Sequence, residues 1–184
     1  MFIQTEPTPN PATLKFLPGR DVMGTGTADF PSPSTAANSP LATRLFAVPG
    51  VASVFLGADF VTVGKAGNAD WAALKPQVLA AIVAHYESND PAIKGGVAPV
   101  TYEDDEDNSE VVVKIRELIE TRVRPAVAQD GGDIIFRRYE NGIVYLRMQG
   151  SCSGCPSSAA TLKNGIENML RYYVPEILGV QQVE

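Results

Sequence analysis

A stretch of structure-breaking residues near the middle of the chain most constrains how it can fold. Residues 88–110 contain Pro91, Pro99, a glycine pair and five consecutive acids, Glu103–Asp107. Gly and Pro interrupt regular structure, and like charges in a row repel one another and stay hydrated. The pattern predicts two small domains rather than one core. The predicted bounds are a first domain at 1–87, a flexible acidic linker at 88–110 and a second domain at 111–184.

The first domain has the pattern of an α+β sandwich with the order ββαββα. Ser39 followed by Pro40 predicts one helix start, and Asp70 predicts the start of a longer helix from Trp71 to Tyr86. Pro76 lies inside that second helix and predicts a kink or a later start. The Gly-, Pro- and Ser-rich residues 18–38 predict a long loop. The predicted strands are Phe2–Thr5, Thr13–Leu17, Val51–Leu56 and Phe60–Lys65.

The sequence of the second domain predicts another small α+β sandwich, with the order αββαβ and helices on one face of a sheet. Apolar residues at helical spacing predict a first helix that buries Val112, Ile115, Ile119, Val123 and Ala126. Asn141-Gly142 is the residue pair that favours a tight hairpin between two strands. The predicted strands are Ile134–Tyr139, Ile143–Met148 and Ile177–Val183, with a second helix before the last of them.

The charge of the chain excludes some classes of partner. The formal net charge is −6, and without the five acids at 103–107 it would be −1. A nucleic-acid partner is disfavoured, because neutralising phosphates requires clustered Lys and Arg. The longest apolar run, Val78–Ala84, is far shorter than the roughly 20 residues of a membrane span. Met1 leads into no basic and apolar signal segment, which favours a bacterial cytoplasm, with a processed mitochondrial matrix protein as the alternative.

The chemistry of the chain centres on its only two cysteines, Cys152 and Cys155. They form a C-x-x-C motif between a predicted strand and a predicted helix that starts with Pro156. Unpaired N–H groups and the helix dipole at that helix start would stabilise both thiolates. A thiolate binds metals and also attacks disulfides, so the spacing alone leaves both chemistries open. The pair could also be two inert buried thiols, since cysteine is often a small buried hydrophobe.

Counting ligands favours a site shared between two chains. Zinc sites and iron–sulfur clusters usually take four protein ligands. One chain offers two cysteines and a single histidine, His85, which is better explained as a half-buried helix residue. Two copies related by a two-fold axis would supply four sulfurs. A thiol–disulfide oxidoreductase and a dimer held by structural zinc remain alternatives, and metal content discriminates between them and a cluster carrier.

Both halves of the chain resemble the Nfu family of iron–sulfur proteins. Residues 111–184 resemble the C-terminal domain of NifU, through Val123-Arg124-Pro125, Gln129–Asp133 and the loop Gly150–Pro156. Residues 1–87 resemble the N-terminal domain of mitochondrial Nfu proteins and their bacterial relatives. The motifs that carry this second resemblance are Thr5–Pro11, Leu14-Lys15-Phe16, Pro49-Gly50-Val51 and Val54-Phe55.

The resemblance implies a carrier rather than an enzyme. It implies a 4Fe–4S cluster bridged between two subunits, received from assembly scaffold proteins and passed to apo-proteins by thiolate exchange. The ligand roles of the family fall on Cys152 and Cys155. The turn Asp130–Asp133 either only shapes the backbone or acts beside the cluster.

Overall fold

The chain forms two compact units, which divide between Ala98 and Pro99. The structure, a computed structural model, describes residues 1–96, 109–153 and 156–183, without the side chains of 156–158. Each unit combines helices and strands, which confirms the predicted α+β class. Most of the predicted acidic linker, residues 97–108, lies outside the described residues. Among the described helices, none is long and apolar enough to cross a membrane.

The first unit is built on a five-stranded antiparallel sheet. Its strands lie side by side in the order β1-β2-β5-β4-β3. Phe16, Leu56 and Val63 are fully buried in the core between this sheet and the helices. The strands are β1 (Gln4–Pro7), β2 (Thr13–Leu17), β3 (Ala28–Phe30), β4 (Val51–Leu56) and β5 (Val61–Lys65).

Strand β3 corrects the prediction of an unbroken loop over 18–38. Its three residues pair with β4 at the edge of the sheet, and Phe30 is buried in the core. A strand this short has too few residues to show a period-two pattern. Its formation depends on pairing with β4, which lies far away in the sequence, so composition alone predicts a loop.

Two helices cover the sheet of the first unit, α1 (Pro40–Phe46) and α2 (Trp71–Ser88). Both predicted helix starts are confirmed, because the side chains of Ser39 and Asp70 accept hydrogen bonds from backbone N–H groups in the first turn. Helix α2 starts at Trp71 and continues through Pro76, so the predicted late start is wrong. Packing of the buried α2 residues compensates for the one hydrogen bond that proline cannot donate.

The chain stays bonded to the first unit beyond the end of α2. Asn89 ends the helix in a left-handed conformation. Ser39 Oγ donates a hydrogen bond to the carbonyl of Ala92 at 2.6 Å, and the N–H of Lys94 donates one to the backbone carbonyl of Asn38 at 2.7 Å. The first residues of the predicted linker are therefore anchored, and the domain bounds remain a prediction.

The second unit begins with a helical stretch of three segments and continues into a three-stranded sheet. The segments are α3 (Glu110–Leu118), a π-helical turn (Ile119–Val123) and α4 (Arg124–Gln129). Strands lie in the order β6-β7-β8, with β6 and β7 antiparallel and β7 and β8 parallel. The remaining elements are β6 (Gly132–Glu140), β7 (Ile143–Gly150), α5 (Pro156–Tyr173) and β8 (Gly179–Val183).

The core of the second unit lies on one face of this sheet. Residues Ile134, Phe136 and Leu146 alternate toward it and are fully buried. Both helical stretches contribute to the same core, which confirms a sheet with helices on one face. The predicted hairpin is also confirmed, because Asn141 and Gly142 both have positive φ angles between β6 and β7.

Candidate functional site: the cysteine loop

Cys152 follows strand β7 in a tight turn. Gly150 has a φ of 68°, a conformation that suits glycine, and it ends the strand. Its carbonyl accepts hydrogen bonds from both the N–H and the Oγ of Ser153, at 3.2 and 3.0 Å. These bonds reverse the chain directly after β7 and place Cys152 inside the turn. The backbone turn and the Ser153 hydroxyl together therefore set where Cys152 lies.

Gly132, at the start of β6, provides the space that the Cys152 sulfur occupies. A Cβ atom on Gly132 would lie 2.4 Å from Cys152 Sγ and 2.8 Å from the carbonyl oxygen of Gln149. Both distances are far below van der Waals contact, and backbone atoms cannot move away cheaply. Glycine is thus required here for close approach rather than for an unusual backbone angle.

Ser151 ties the cysteine loop to the turn before β6. Its hydroxyl donates to the carbonyl of Asp130, and its N–H donates to the carbonyl of Gly131 over 3.2 Å. Ser151 is buried, so these bonds form away from water. The turn Asp130–Asp133 therefore contacts the cysteine loop directly. This contact supports its structural role, while a role beside a cluster stays a prediction.

A buried ion pair holds the same turn from the other side. Arg124 Nε and Nη2 each lie 2.8 Å from one carboxylate oxygen of Asp133, a bidentate arrangement. Asp133 is 3% exposed, and its carboxylate also accepts the N–H of Ile134. The exposed side of Arg124 contacts Glu120 at 3.0 Å. The ion pair thereby fixes the position of Asp133, the neighbour of Gly132, relative to Arg124 at the start of α4.

The Cys152 thiol is buried, contrary to the prediction of an activated thiolate. It is 6% exposed and belongs to the apolar core of its unit. Burial raises the pKa of the Cys152 thiol to about 11, although Ser151 Oγ at 4.0 Å acts in the opposite direction. The nearby carboxylates of Asp130 and Asp133 raise it further. Desolvation is the largest cause of this shift and opposes the thiolate at Cys152.

The second cysteine of the motif lies outside the described residues. Neither Gly154 nor Cys155 is described, so the ligand role of Cys155 stays a prediction. Helix α5 starts at Pro156, directly after it, as the sequence predicts. Within 1–96, 109–153 and 156–183, no group of three or more His, Cys, Asp or Glu side chains could hold a metal ion.

His85 is a buried residue of the first unit, as its helical pattern suggests. It lies on α2 in edge-to-face contact with Tyr86, with 5.4 Å between the ring centroids. Its Nδ1 atom is buried and has no hydrogen-bond partner. Burial lowers the pKa of His85, as does the positive charge of Arg44, whereas Asp90 raises it. A neutral core histidine accounts for these observations.

Sequence reasoning did not assign a function to the Arg124–Asp133 pair. The two residues stand nine positions apart and belong to different elements, so helical or strand periodicity cannot connect them. The sequence offers one clue to this pair. Arg124 and Asp133 are oppositely charged, and each stands next to apolar residues that are expected to be buried. Such residues are almost never fully buried unless they are paired.

Two family models match the chain, one for each unit. Residues 3–89 match the scaffold protein Nfu/NifU N-terminal domain, and residues 115–181 match the NifU-like domain. Together the two matches leave out only short ends and the stretch between the units.

Curated relatives match the chain over its full length. In Drosophila ananassae and Drosophila virilis, proteins named "NFU1 iron-sulfur cluster scaffold homolog, mitochondrial" are each 55% identical to it over 184 residues. The chain spans 64% and 62% of their respective lengths. The expectation of a bacterial cytoplasm is wrong, because these relatives are named mitochondrial.

Solved structures match about half of the chain. The solution structure of a NifU-like protein from Saccharomyces cerevisiae has a TM-score of 0.47 and 26% identity, and covers 52% of this chain and 86% of its own. A crystal structure from Staphylococcus aureus has a TM-score of 0.40 and 27% identity, covering 45% of this chain and 99% of its own.

Proposed function

Because this chain belongs to the Nfu family of iron–sulfur cluster scaffold proteins, we propose that it carries a 4Fe–4S cluster between two copies and passes it to apo-proteins. The ligands are the thiolates of Cys152 and Cys155 in each copy. The names of the relatives support the mitochondrial matrix as its compartment. Its partners are scaffold proteins that deliver the cluster and apo iron–sulfur proteins that accept it.

The ligand count supports the sharing between two copies. A cluster takes four thiolates, and the whole sequence contains two cysteines. The described residues contain no group of three or more His, Cys, Asp or Glu side chains that could hold a metal ion. A second copy supplies the missing two ligands, so the site assembles with the dimer and disappears when the copies separate.

The observation that carries the proposal is the burial of Cys152 against Gly132. Cluster binding requires the thiolate, so the sulfur must lose its proton and move out of contact with the core. On release, an incoming cysteine of the target loses its proton and binds iron, while Cys152 gains a proton and returns to the space beside Gly132. Proton number and charge balance in this exchange. The packed, protonated thiol stabilises the metal-free state and thereby favours release.

The same observation makes Cys152 a poor attacking cysteine for a thiol–disulfide oxidoreductase. The attacking cysteine of such an enzyme needs a lowered pKa and access to its substrate. Cys152 has a raised pKa and is buried. Cluster transfer exchanges iron–thiolate bonds and moves one proton for each ligand exchanged, and no covalent bond of a substrate is converted. We therefore propose a carrier role without enzymatic turnover.

Metal analysis of the full chain tests this function. After anaerobic reconstitution with iron and sulfide, we expect about two irons and two sulfides per chain, because one cluster is shared by two copies. The molecular mass in solution should double on loading and return to the monomer value on chelation. Zinc in place of iron would favour the structural zinc dimer instead.

Serine variants provide the matched comparison. Cys152→Ser should lose the cluster and the dimer, whereas Ser34→Ala, at an exposed position of the first unit, should keep both. A wild-type chain that takes up no iron, but cycles readily between dithiol and disulfide, would contradict the carrier function and support an oxidoreductase.

A further inference from the structure

The cysteine loop is attached to the rest of its unit through the turn that precedes β6. Ser151 makes this attachment with two hydrogen bonds, from its hydroxyl to the carbonyl of Asp130 and from its N–H to the carbonyl of Gly131. Cys152 is the next residue along the chain, so the position of the turn influences the position of the sulfur. Contacts that hold this turn therefore also hold the cysteine.

The turn is held at both of its ends. At its beginning, the N–H groups of Asp130 and Gly131 donate to two carbonyls at the end of α4, at 3.0 and 3.1 Å. At its end, the carboxylate of Asp133 accepts two hydrogen bonds from the Arg124 guanidinium. The first contact is backbone bonding that any sequence can make at a helix end. The second contact requires these two side chains.

The Arg124–Asp133 pair fixes a direction as well as a charge. Two parallel N–H···O bonds orient the planar guanidinium and the carboxylate relative to each other, which a single ion contact does not do. Asp133 directly follows Gly132, the residue that leaves space for the Cys152 sulfur. A displacement of Asp133 would therefore also displace the space that the sulfur occupies.

Stability alone does not account for this buried pair. Removing a carboxylate from water costs free energy, and replacing a buried pair with apolar side chains of similar volume is often neutral or stabilising. An apolar pair at Arg124 and Asp133 would still fill the interior, but it would not fix the orientation of the turn. The property that the charged pair adds is thus a defined position.

The helix that carries Arg124 departs from regular geometry directly before this residue. The π-helical turn at Ile119–Val123 adds a residue to one helical turn, and successive side chains of a helix lie about 100° apart. The extra residue changes the direction of Arg124 relative to α3, and the arginine points to Asp133 on β6. Such turns are frequent at functional sites, which agrees with a role of this pair at the cysteine loop.

We propose that Arg124 and Asp133 are positioning residues for the cluster ligand Cys152. Their paired hydrogen bonds hold the turn before β6, and the turn holds the base of the cysteine loop through Ser151. The sulfur can leave the space beside Gly132 to bind iron while the base of the loop stays in place. A loop held in this way loses fewer conformations on binding, which is the advantage of a preorganised ligand. This role rests on the proposed function of Cys152.

Alkylation of the metal-free chain measures the positioning without any cluster. In the full chain carrying Cys155→Ser, Cys152 is the remaining cysteine, and its burial limits the reaction with iodoacetamide. Arg124→Lys keeps both charges of the pair but loses the paired geometry. We expect this variant to react about tenfold faster, the equivalent of one lost hydrogen bond to a charged group. Because the charges are unchanged, a faster reaction reports a loosened loop.

Two control variants separate positioning from other effects. Arg171→Lys repeats the substitution in the exposed Arg171–Glu167 pair of α5 and should react at the unchanged rate. Ile177→Ala destabilises the same core far from the cysteine loop, because Ile177 is buried just before β8, which begins opposite Ile143 at the start of β7. Urea unfolding gives the unfolded fraction of each variant, and alkylation through complete unfolding follows that fraction.

The two destabilised variants should therefore behave differently. Arg124→Lys should react faster than its unfolded fraction allows, whereas Ile177→Ala should not. Rates that follow the unfolded fraction in both variants would show a purely structural role and overturn the proposal. An unchanged rate in Arg124→Lys would overturn it as well.

Iron retention tests the same role in the loaded chain. Arg124→Met/Asp133→Leu replaces the pair with apolar side chains, and urea unfolding checks that this variant is folded. It should lose iron to EDTA about tenfold faster than the wild-type chain, since removing groups that orient a metal ligand typically costs about 10–100-fold in affinity. Ile177→Ala should lose iron at the wild-type rate. Equal retention in the double variant and the wild-type chain would overturn the proposal.

The two measurements distinguish this proposal from the carrier function. A wild-type chain that takes up no iron would contradict the carrier function and with it the ligand role of Cys152. The alkylation rates would still decide whether the Arg124–Asp133 pair holds the cysteine. A chain that loads iron normally but shows no effect of the pair variants would contradict the positioning role alone.

Discussion

At the scale of single residues, the close contact between Gly132 and Cys152 determines the site. The cysteine spacing in the sequence predicts Cys152 and Cys155 as the ligands, which stays a prediction, and the glycine pair was recognised as part of a motif. The sequence could not show that the lack of a side chain at Gly132 makes room for the Cys152 sulfur. That relation joins two residues 20 positions apart through strand pairing, which no local pattern encodes.

Gly132→Ala should damage both stability and iron binding. The added Cβ would lie 2.4 Å from Cys152 Sγ, so the loop must shift, and overpacking of this kind typically costs about 1–3 kcal/mol. Urea unfolding and iron content after reconstitution measure the two effects.

Gly165→Ala is the matched control for Gly132→Ala. Gly165 is an exposed position in α5, with nothing within 4 Å of a Cβ atom. Alanine favours helix by roughly 0.5–1 kcal/mol over glycine, so this variant should be slightly more stable. A Gly132→Ala chain as stable as this control, with normal iron content, would contradict the packing argument.

Cys152 should react slowly with alkylating reagents in the metal-free chain. Its pKa of about 11, against about 9 for a free thiol, reduces the thiolate fraction near pH 8 about a hundredfold. The rate with iodoacetamide is measured on Cys155→Ser, folded and in urea. Equal rates in the two conditions would contradict the burial.

The raised pKa of Cys152 also makes part of the free energy of unfolding depend on pH in the alkaline range. The folded state favours the neutral thiol, so the contribution is complete below pH 9 and is lost as the pH rises toward 11. Cys152→Ser, which does not titrate in this range, should show a smaller loss.

At the scale of elements, the helical stretch before β6 departs from its prediction. The 3.6-residue period predicted one helix that buries Val112, Ile115, Ile119, Val123 and Ala126. The first four are confirmed, but Ala126 is exposed and Val127 is buried in its place. The π-helical turn at Ile119–Val123 was not predicted; it adds a residue to one turn and moves the next buried position by one, to Val127. Such turns often occur at functional sites. Here the turn immediately precedes Arg124, which holds Asp133.

Removing the Arg124 side chain should destabilise the second unit strongly. Arg124→Gln leaves the buried carboxylate of Asp133 without its cation, and breaking a buried pair costs about 3–5 kcal/mol. Urea unfolding of the second unit measures the loss.

Glu120→Gln tests the exposed side of the same arginine. The Arg124–Glu120 contact is a surface pair at i and i+4, and such pairs contribute roughly 0.3–0.5 kcal/mol. We therefore expect almost unchanged stability in this variant. A similar loss in Glu120→Gln and Arg124→Gln would show that the buried carboxylate is not what Arg124 stabilises.

At the scale of the whole molecule, two units with separate cores should respond differently to pH. The sequence predicted this division from the breakers and charges between the units, because such features are local. The extra strand β3 was missed, since it forms by pairing within the first unit. The single histidine of the chain lies in that unit, so one titration can report on it.

The first unit should lose stability as the pH falls below about 6.5. Burial and Arg44 lower the pKa of His85, so the unfolded chain binds a proton more readily than the folded one. Stability is therefore complete above the unfolded pKa and falls as the pH decreases toward the folded one. Thermal unfolding of the wild-type chain at pH 7 and pH 5 measures this loss.

His85→Gln removes the titrating group while keeping a polar side chain. The difference between pH 7 and pH 5 should shrink in this variant for the first unit only. Asp90, whose pKa is lowered by its hydrogen bonds with Ser88 and Arg44, titrates in a more acidic range and does not interfere. An unchanged difference would show that His85 is not the responsive group.

The buried Cys152 thiol has one more consequence, for oxidation of the metal-free protein. Peroxides and related oxidants attack thiolates, and the products beyond sulfenic acid cannot be reversed by ordinary reductants. A protonated sulfur packed against Gly132 offers neither the charge nor the access that this damage needs. We therefore expect Cys152 of the metal-free protein to stay reduced, which would keep it available for the ligand role proposed above.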